Sequence, residues 1–183
     1  MLNHKKSIIE YDCDEILNIL QKYPRSVGNQ SNAVPCSMLE VYQISKILNF
    51  KESIKSILYF RMSPEFSSLI HKDYYLISDL SYALNLPLFG CKDVSMKWFK
   101  QLDPNTGVVL FPGPSYGSPT PSLDRKNAIC VDEVNCNTPT VVKVDDWHNI
   151  ANHSTVEDAG LISIRFKDLS LVPPVGIEPT FKS

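Results

Sequence analysis

The chain has 183 residues, 43% of them hydrophobic and 21% charged, and carries a formal net charge of −2. This is the length and composition of one ordinary folded domain, which excludes a disordered chain. The lack of basic excess excludes a global electrostatic drive toward nucleic acid or anionic lipid, and no apolar run approaches the ~20 residues that span a bilayer.

The first residues, Met1-Leu2-Asn3-His4-Lys5-Lys6, are followed by Ser-Ile-Ile-Glu rather than by the apolar core of a signal peptide. A cytoplasmic protein without membrane association is expected. Cys13, Cys36, Cys91, Cys130 and Cys136 lack the paired spacing of a zinc site and the density of a disulfide scaffold, so they read as reduced thiols.

In chain order, Asp14 opens a helix whose apolar residues Ile16, Leu17, Leu20 and Tyr23 keep helical spacing until Pro24. A polar loop over 25–35 follows. Ser37 with Glu40 forms a capping-box pattern for a second helix carrying Leu39, Tyr42, Ile44, Ile47 and Leu48. Ile54, Ile57, Leu58 and Phe60 suggest a third, Ser63-Pro64-Glu65 starts a fourth, and 71–85 reads as a fifth. Asp93 opens a sixth, with Val94, Trp98, Phe99 and Leu102 on one face. After the turn at 103–107 the texture becomes β-like. Val108-Val109-Leu110-Phe111, 127–134, 140–144 and 161–166 read as strands, separated by a loop rich in Pro and Gly.

The last thirteen residues, 171–183, resemble the peptide obtained when a tRNA gene is translated on its antisense strand. A permitted back-translation has a reverse complement containing a complete T-arm followed by a CCA end. This resemblance implies a gene ending within a tRNA gene or tRNA-derived attachment site, where prophages and genomic islands insert. An unpacked tail is the expectation there.

Three local patterns are candidates for function. Residues 43–58 resemble a helix-turn-helix unit, with Ile44 and Leu48 facing the core, Asn49 in the turn, and Lys51, Ser53, Lys55 and Ser56 facing DNA. Two amphipathic helices joined by a tight turn explain the same pattern. Leu88-Phe89-Gly90 with Asp93, Ser95, Trp98 and Phe99 is similar to the toxin-binding segment of Xre/MbcA/ParS-type antitoxins, and a core helix anchored by Trp98 is its alternative. For catalysis, the densest polar cluster is Asp145-Asp146-Trp147-His148, followed by His153, Glu157 and Asp158. Carboxylates beside a histidine suit a general base near neutral pH, but the spacing of His148 and His153 does not place both on one helical face. A capped surface loop is the alternative. No Walker loop, dinucleotide fingerprint, nucleophile elbow or zinc-protease motif is present.

These readings combine into an α+β domain over 1–170. Five to six helices in 1–106 pack against a small antiparallel sheet in 107–170, and 171–183 form an unpacked tail. The functional expectation is a non-enzymatic accessory protein of a mobile element, antitoxin-like, immunity or regulatory, acting through a protein partner. No cofactor or metal is assigned. The alternatives are a small effector or toxin enzyme built on Asp145, Asp146 and His148, and a helix-turn-helix regulator with DNA as partner.

Overall fold

The computed structural model describes residues 3–7, 9–21, 32–50, 54–73, 82–112 and 119–166. In these the chain is mostly β, with two α-helices. The strands are β1 (His4–Lys6), β2 (Asn32–Pro35), β3 (Ile54–Met62), β4 (Ile70–His71), β5 (Tyr82–Phe89), β6 (Val94–Gln101), β7 (Val108–Pro112), β8 (Pro119–Leu123), β9 (Ala128–Asn135), β10 (Thr140–Lys143), β11 (His148–Asn152) and β12 (Ala159–Phe166). The helices are α1 (Cys13–Leu20) and α2 (Met38–Ile47). Two six-stranded sheets result, ordered β1-β10-β5-β12-β3-β2 and β7-β8-β4-β11-β6-β9, and every pairing is antiparallel.

Successive strands alternate between the sheets, first over β3 to β6 and again over β9 to β12. This is the winding of a jelly roll, with β1, β2, β7 and β8 added at the edges. One apolar layer lies between the sheets and contains Met62, Phe66, Met96, Trp98, Val142, Ile150 and Leu161. A second covers the outer face of the first sheet, where Ile57, Tyr59, Leu84, Leu86, Ile162 and Ile164 meet Ile16 and Leu20 of α1 and Ile44 of α2.

The expected α+β fold with a helical first half is therefore corrected. Two of the helices expected from sequence are present. Asp12, two residues before the expected start, caps α1 by accepting from Glu15 N, and the Ser37/Glu40 capping box closes on α2. The described residues of the other four segments are strands or their connections, and 74–81 of the fifth lie outside the described residues. Strands buried on both faces lose polar alternation, and their apolar runs imitate a helix stripe. In β6 the inward residues are Val94, Met96 and Trp98, at period two. The helical reading used Val94, Trp98 and Phe99 and passed over Met96. Gly90 makes the turn before it at φ 61°, where an added Cβ would lie 2.0 Å from the Asp158 carbonyl oxygen. In β5, Pro87 stands opposite Leu161 beside a register shift, and its carbonyl accepts from the Tyr11 hydroxyl.

The helix-turn-helix pattern ends at α2. Asn49 takes the turn conformation, φ 55°, but Lys55 and Ser56 lie on β3 rather than on a recognition helix, while Lys51 and Ser53 lie outside the described residues. The segment likened to an antitoxin helix falls on β5 and β6. The Pro- and Gly-rich loop at 113–118 and the tail at 171–183 also lie outside the described residues. No helix among the described residues is long and apolar enough to cross a membrane.

Urea unfolding should rank two layers of this architecture. Ile162→Ala, at a fully buried position of β12, is expected to cost about 2–5 kcal/mol. Ser37→Ala, which removes one cap of α2, should cost about 1 kcal/mol.

Candidate metal centre

The jelly roll brings β4 and β11 together as neighbours, and their register sets His71 directly opposite His148. Residues paired across an antiparallel ladder share a face, and here the two rings stand 4.5 Å apart between centroids, inclined at 51°. Asp73 lies two residues beyond His71, and the period of an extended chain returns its carboxylate to that face. Its backbone N–H donates a hydrogen bond to the Val144 carbonyl at 2.9 Å. Asp73 Oδ1 lies 3.4 Å from His71 Nε2 and 3.9 Å from His148 Nε2. One ligand atom from each of the three residues falls within 4.8 Å of the others, a spacing that fits one metal ion.

The orientation of both rings is fixed from behind. His71 Nδ1 donates to the Leu69 carbonyl at 2.9 Å and His148 Nδ1 to the Asp146 carbonyl at 2.8 Å. A carbonyl accepts only, so each Nδ1 carries the proton, and both Nε2 atoms turn toward Asp73. This backbone anchoring is the outer shell that metal-binding histidines commonly have.

Behind Asp73 runs a buried polar line on the inner face of the first sheet. Arg165, near the end of β12, donates through Nη2 to Asp73 Oδ2 and through Nη1 to Ser163 Oγ at 2.6 Å. Ser163 in turn donates to Asn85 Oδ1 at 2.7 Å. With Oδ2 engaged by the guanidinium, Oδ1 is left to face the histidines.

The electrostatics follow from this packing. Burial and the neighbouring His71 push His148 down to about 4, so its imidazole is neutral near pH 7. Burial also acts to lower His71, but its hydrogen bond to Asp73 and that carboxylate's charge outweigh it, and its pKa rises above the ordinary value. For Asp73, burial acts upward, yet Arg165 and the two histidines hold the carboxyl far below its usual range.

The sequence candidates separate in the structure. His148 belongs to the cluster. Asp146 serves it through its backbone carbonyl, while its carboxylate, like that of Asp145, pairs with Lys143, at 2.7 and 3.6 Å. His153 lies within hydrogen-bonding distance of Ser95 Oγ at 2.8 Å, Asp158 pairs with Arg61 at 3.1 Å, and the Glu157 carbonyl accepts from Asn152. Sequence reasoning missed His71, Asp73 and Arg165. The available signal was His-x-Asp, which puts both side chains on one face of an extended segment. Reading 71–85 as a helix concealed it, since positions i and i+2 diverge on a helix.

No family model matches the sequence, and no curated protein matches it. Among solved structures, the crystal structure of a Pseudomonas putida prolyl-4-hydroxylase aligns over 90% of this chain and 91% of that one, with a TM-score of 0.42 and 6% identity. Likeness at this level carries neither fold nor chemistry from one chain to the other.

Histidine-ring NMR of the metal-free protein should show the split between the two rings. His148 is expected to stay neutral until about pH 4, while His71 holds its proton above the ordinary 6.5. The stability consequences have opposite signs. The unfolded chain protonates His148 more readily, so its term destabilises the fold as pH falls from about 6.5 toward 4. The His71 term is fully present below about 6.5 and is lost as pH rises through its raised value. Two rings titrating together near 6.5 would contradict this arrangement.

Proposed function

We propose that the chain is a mononuclear non-haem iron(II) oxygenase, with His71, Asp73 and His148 as the metal ligands. The observation that carries the reading is the convergence of two backbone-anchored histidine nitrogens and one carboxylate oxygen. Two imidazoles and a carboxylate on one side of an ion leave its other positions open, the arrangement typical of iron(II) sites that activate dioxygen. A structural zinc site would instead be closed by a fourth protein ligand. Among the described residues this is the group that could hold a metal ion, and it offers three ligands.

Bound iron(II) would supply the open positions at which dioxygen and an organic co-substrate meet. The protein's own residues have separable tasks. The Leu69 and Asp146 carbonyls aim the rings, and Arg165 keeps Asp73 ionised and engaged through one oxygen. Hydroxylating a C–H bond uses two of the four oxidising equivalents of dioxygen, so a second two-electron donor is required. A 2-oxo acid fits that need. Its carboxylate and keto oxygens would chelate the metal, leaving one position for dioxygen, and its negative charge would offset that of the ion. This reading takes up the enzyme alternative at His148 in place of a non-enzymatic accessory protein, because the cluster supplies a reactive centre that no sequence motif announced.

Anaerobic titration with iron(II), followed by calorimetry, tests the proposal. One ion per chain is expected. His71→Ala, Asp73→Ala and His148→Ala should each weaken binding more than about 100-fold, while Arg165→Met, acting from behind the ligand, should weaken it about 10–100-fold. With 2-oxoglutarate as the probe, the iron-loaded protein should consume dioxygen and release carbon dioxide. Full-strength binding by His148→Ala would overturn the metal assignment. Tight binding of zinc with no dioxygen uptake would overturn the oxygenase reading and favour a metal hydrolase.

A further inference from the structure

Strand β7 closes one end of the second sheet and pairs with β8 alone among the described strands. Its residues Val108, Val109 and Leu110 are 45%, 52% and 65% exposed, and no charged residue occurs from Val108 to Pro112. The other edge strands are protected in the usual ways. Lys5 and Lys6 guard β1, β2 is short and ends in Pro35, and β9 carries Asp132 and Glu133.

The prolines fix which backbone groups β7 shows to its open side. Paired residues in an antiparallel ladder alternate between exchanging hydrogen bonds and not doing so. Leu110 stands opposite Pro121, and Pro112 opposite Pro119. Proline has no N–H, so these are the non-bonded pairs, and the ladder runs through Val109 with Ser122 and Phe111 with Thr120. The N–H and C=O of Val108 and Leu110, and the C=O of Pro112, therefore point outward.

From this we infer that β7 is a self-association edge, on which a second copy of the chain pairs antiparallel about a two-fold axis at Leu110. In that register the Leu110 backbone exchanges two hydrogen bonds with Leu110 of the partner subunit. Each Val108 N–H donates to the partner's Pro112 carbonyl, while Pro112, which has no N–H, leaves the Val108 carbonyl to water. An axis at Val109 would overlap only Val108 to Leu110 of the five strand residues, one at Val108 would run beyond the end of the strand, and one at Pro112 would lack both central donors. The two-fold operation makes the contact closed, since each copy uses the same edge on the other. A five-residue edge buries less than the ~1,200–2,000 Å² of a stable dimer, so the association is weak and reversible.

The test uses the full chain with Cys130→Ser as background, which removes an exposed thiol. Sedimentation velocity over a dilution series should show the coefficient rising with concentration toward that of a dimer. Leu110→Lys sets two like charges opposite each other and should leave a monomer at every concentration, with an unchanged circular dichroism spectrum because the position is exposed. Leu110→Cys should cross-link under mild oxidation, because bonded partners lie about 5.5 Å apart between Cα atoms, within disulfide reach. Val108→Cys places its two thiols about 13 Å apart along the strands and should cross-link at least tenfold more slowly. A wild-type monomer throughout, an unaltered dimer in Leu110→Lys, or equal cross-linking by the two cysteine variants would each overturn the inference.

Discussion

The pair between buried Arg165 and half-buried Asp73 is the constraint around which the candidate centre is built. Arg165 belongs to the first sheet and Asp73 follows a strand of the second, so the contact ties the sheets together where Asp73 meets the two histidines. Taking two ions out of water costs several kcal/mol for each, and burial of such a pair is no stabiliser by itself. Here the cost is offset by further bonds. The guanidinium also reaches Ser163, and the carboxylate also faces two imidazoles. Removing either ion strands the other in a dry site, a change that typically costs about 3–5 kcal/mol. An expensive arrangement that a hydrophobic pair could replace is better explained by the chemistry of Asp73 than by the stability of the fold.

Topology explains how residues far apart in sequence come to form one cluster. Because the chain crosses between sheets over β3 to β6 and again over β9 to β12, β4 and β11 become neighbours although six strands separate them. One register then settles the geometry, with Ser122, His71, His148 and Trp98 successive partners across four strands. A slip of one residue in β11 would turn His148 to the opposite face and dissolve the cluster. The apolar layer of Met62, Met96, Ile150 and Leu161 holds that register from one end of the sheets, and the polar line of Asn85, Ser163 and Arg165 occupies the other.

Legibility in the sequence followed the range of the interactions involved. Both helices were readable because their signals are local: Asp12 caps within three residues, and Ser37 and Glu40 satisfy each other over the same span. Strands in the C-terminal part were readable where β-branched residues alternate, as in 161–166. The central strands β3, β5 and β6 were not, because their apolar residues fall at spacings that also fit a helix stripe, and β5, buried along nearly its whole length, has no polar face to mark the period. His148 stood out through its acidic neighbours, yet those carboxylates turn to Lys143, and the partners that matter lie more than seventy residues upstream. No spacing rule links His71 to His148. Only the pairing of β4 with β11 does.

The charge of the cluster also bears on what can occupy it. In the protein without a metal Asp73 and Arg165 cancel, and the raised pKa of His71 lets the cluster hold one proton there. A divalent ion would take the place of that proton, since histidine must be neutral to ligate, and would release it to solvent. The cluster would then hold two positive charges in excess, and the ion's own charge would dominate the local field, so that neutrality would be regained only with anionic ligands. Such a balance would favour a carboxylate-bearing co-substrate over a neutral one. Arg165, by cancelling Asp73, would also leave a bound metal more electron-poor than a carboxylate without a counter-ion would.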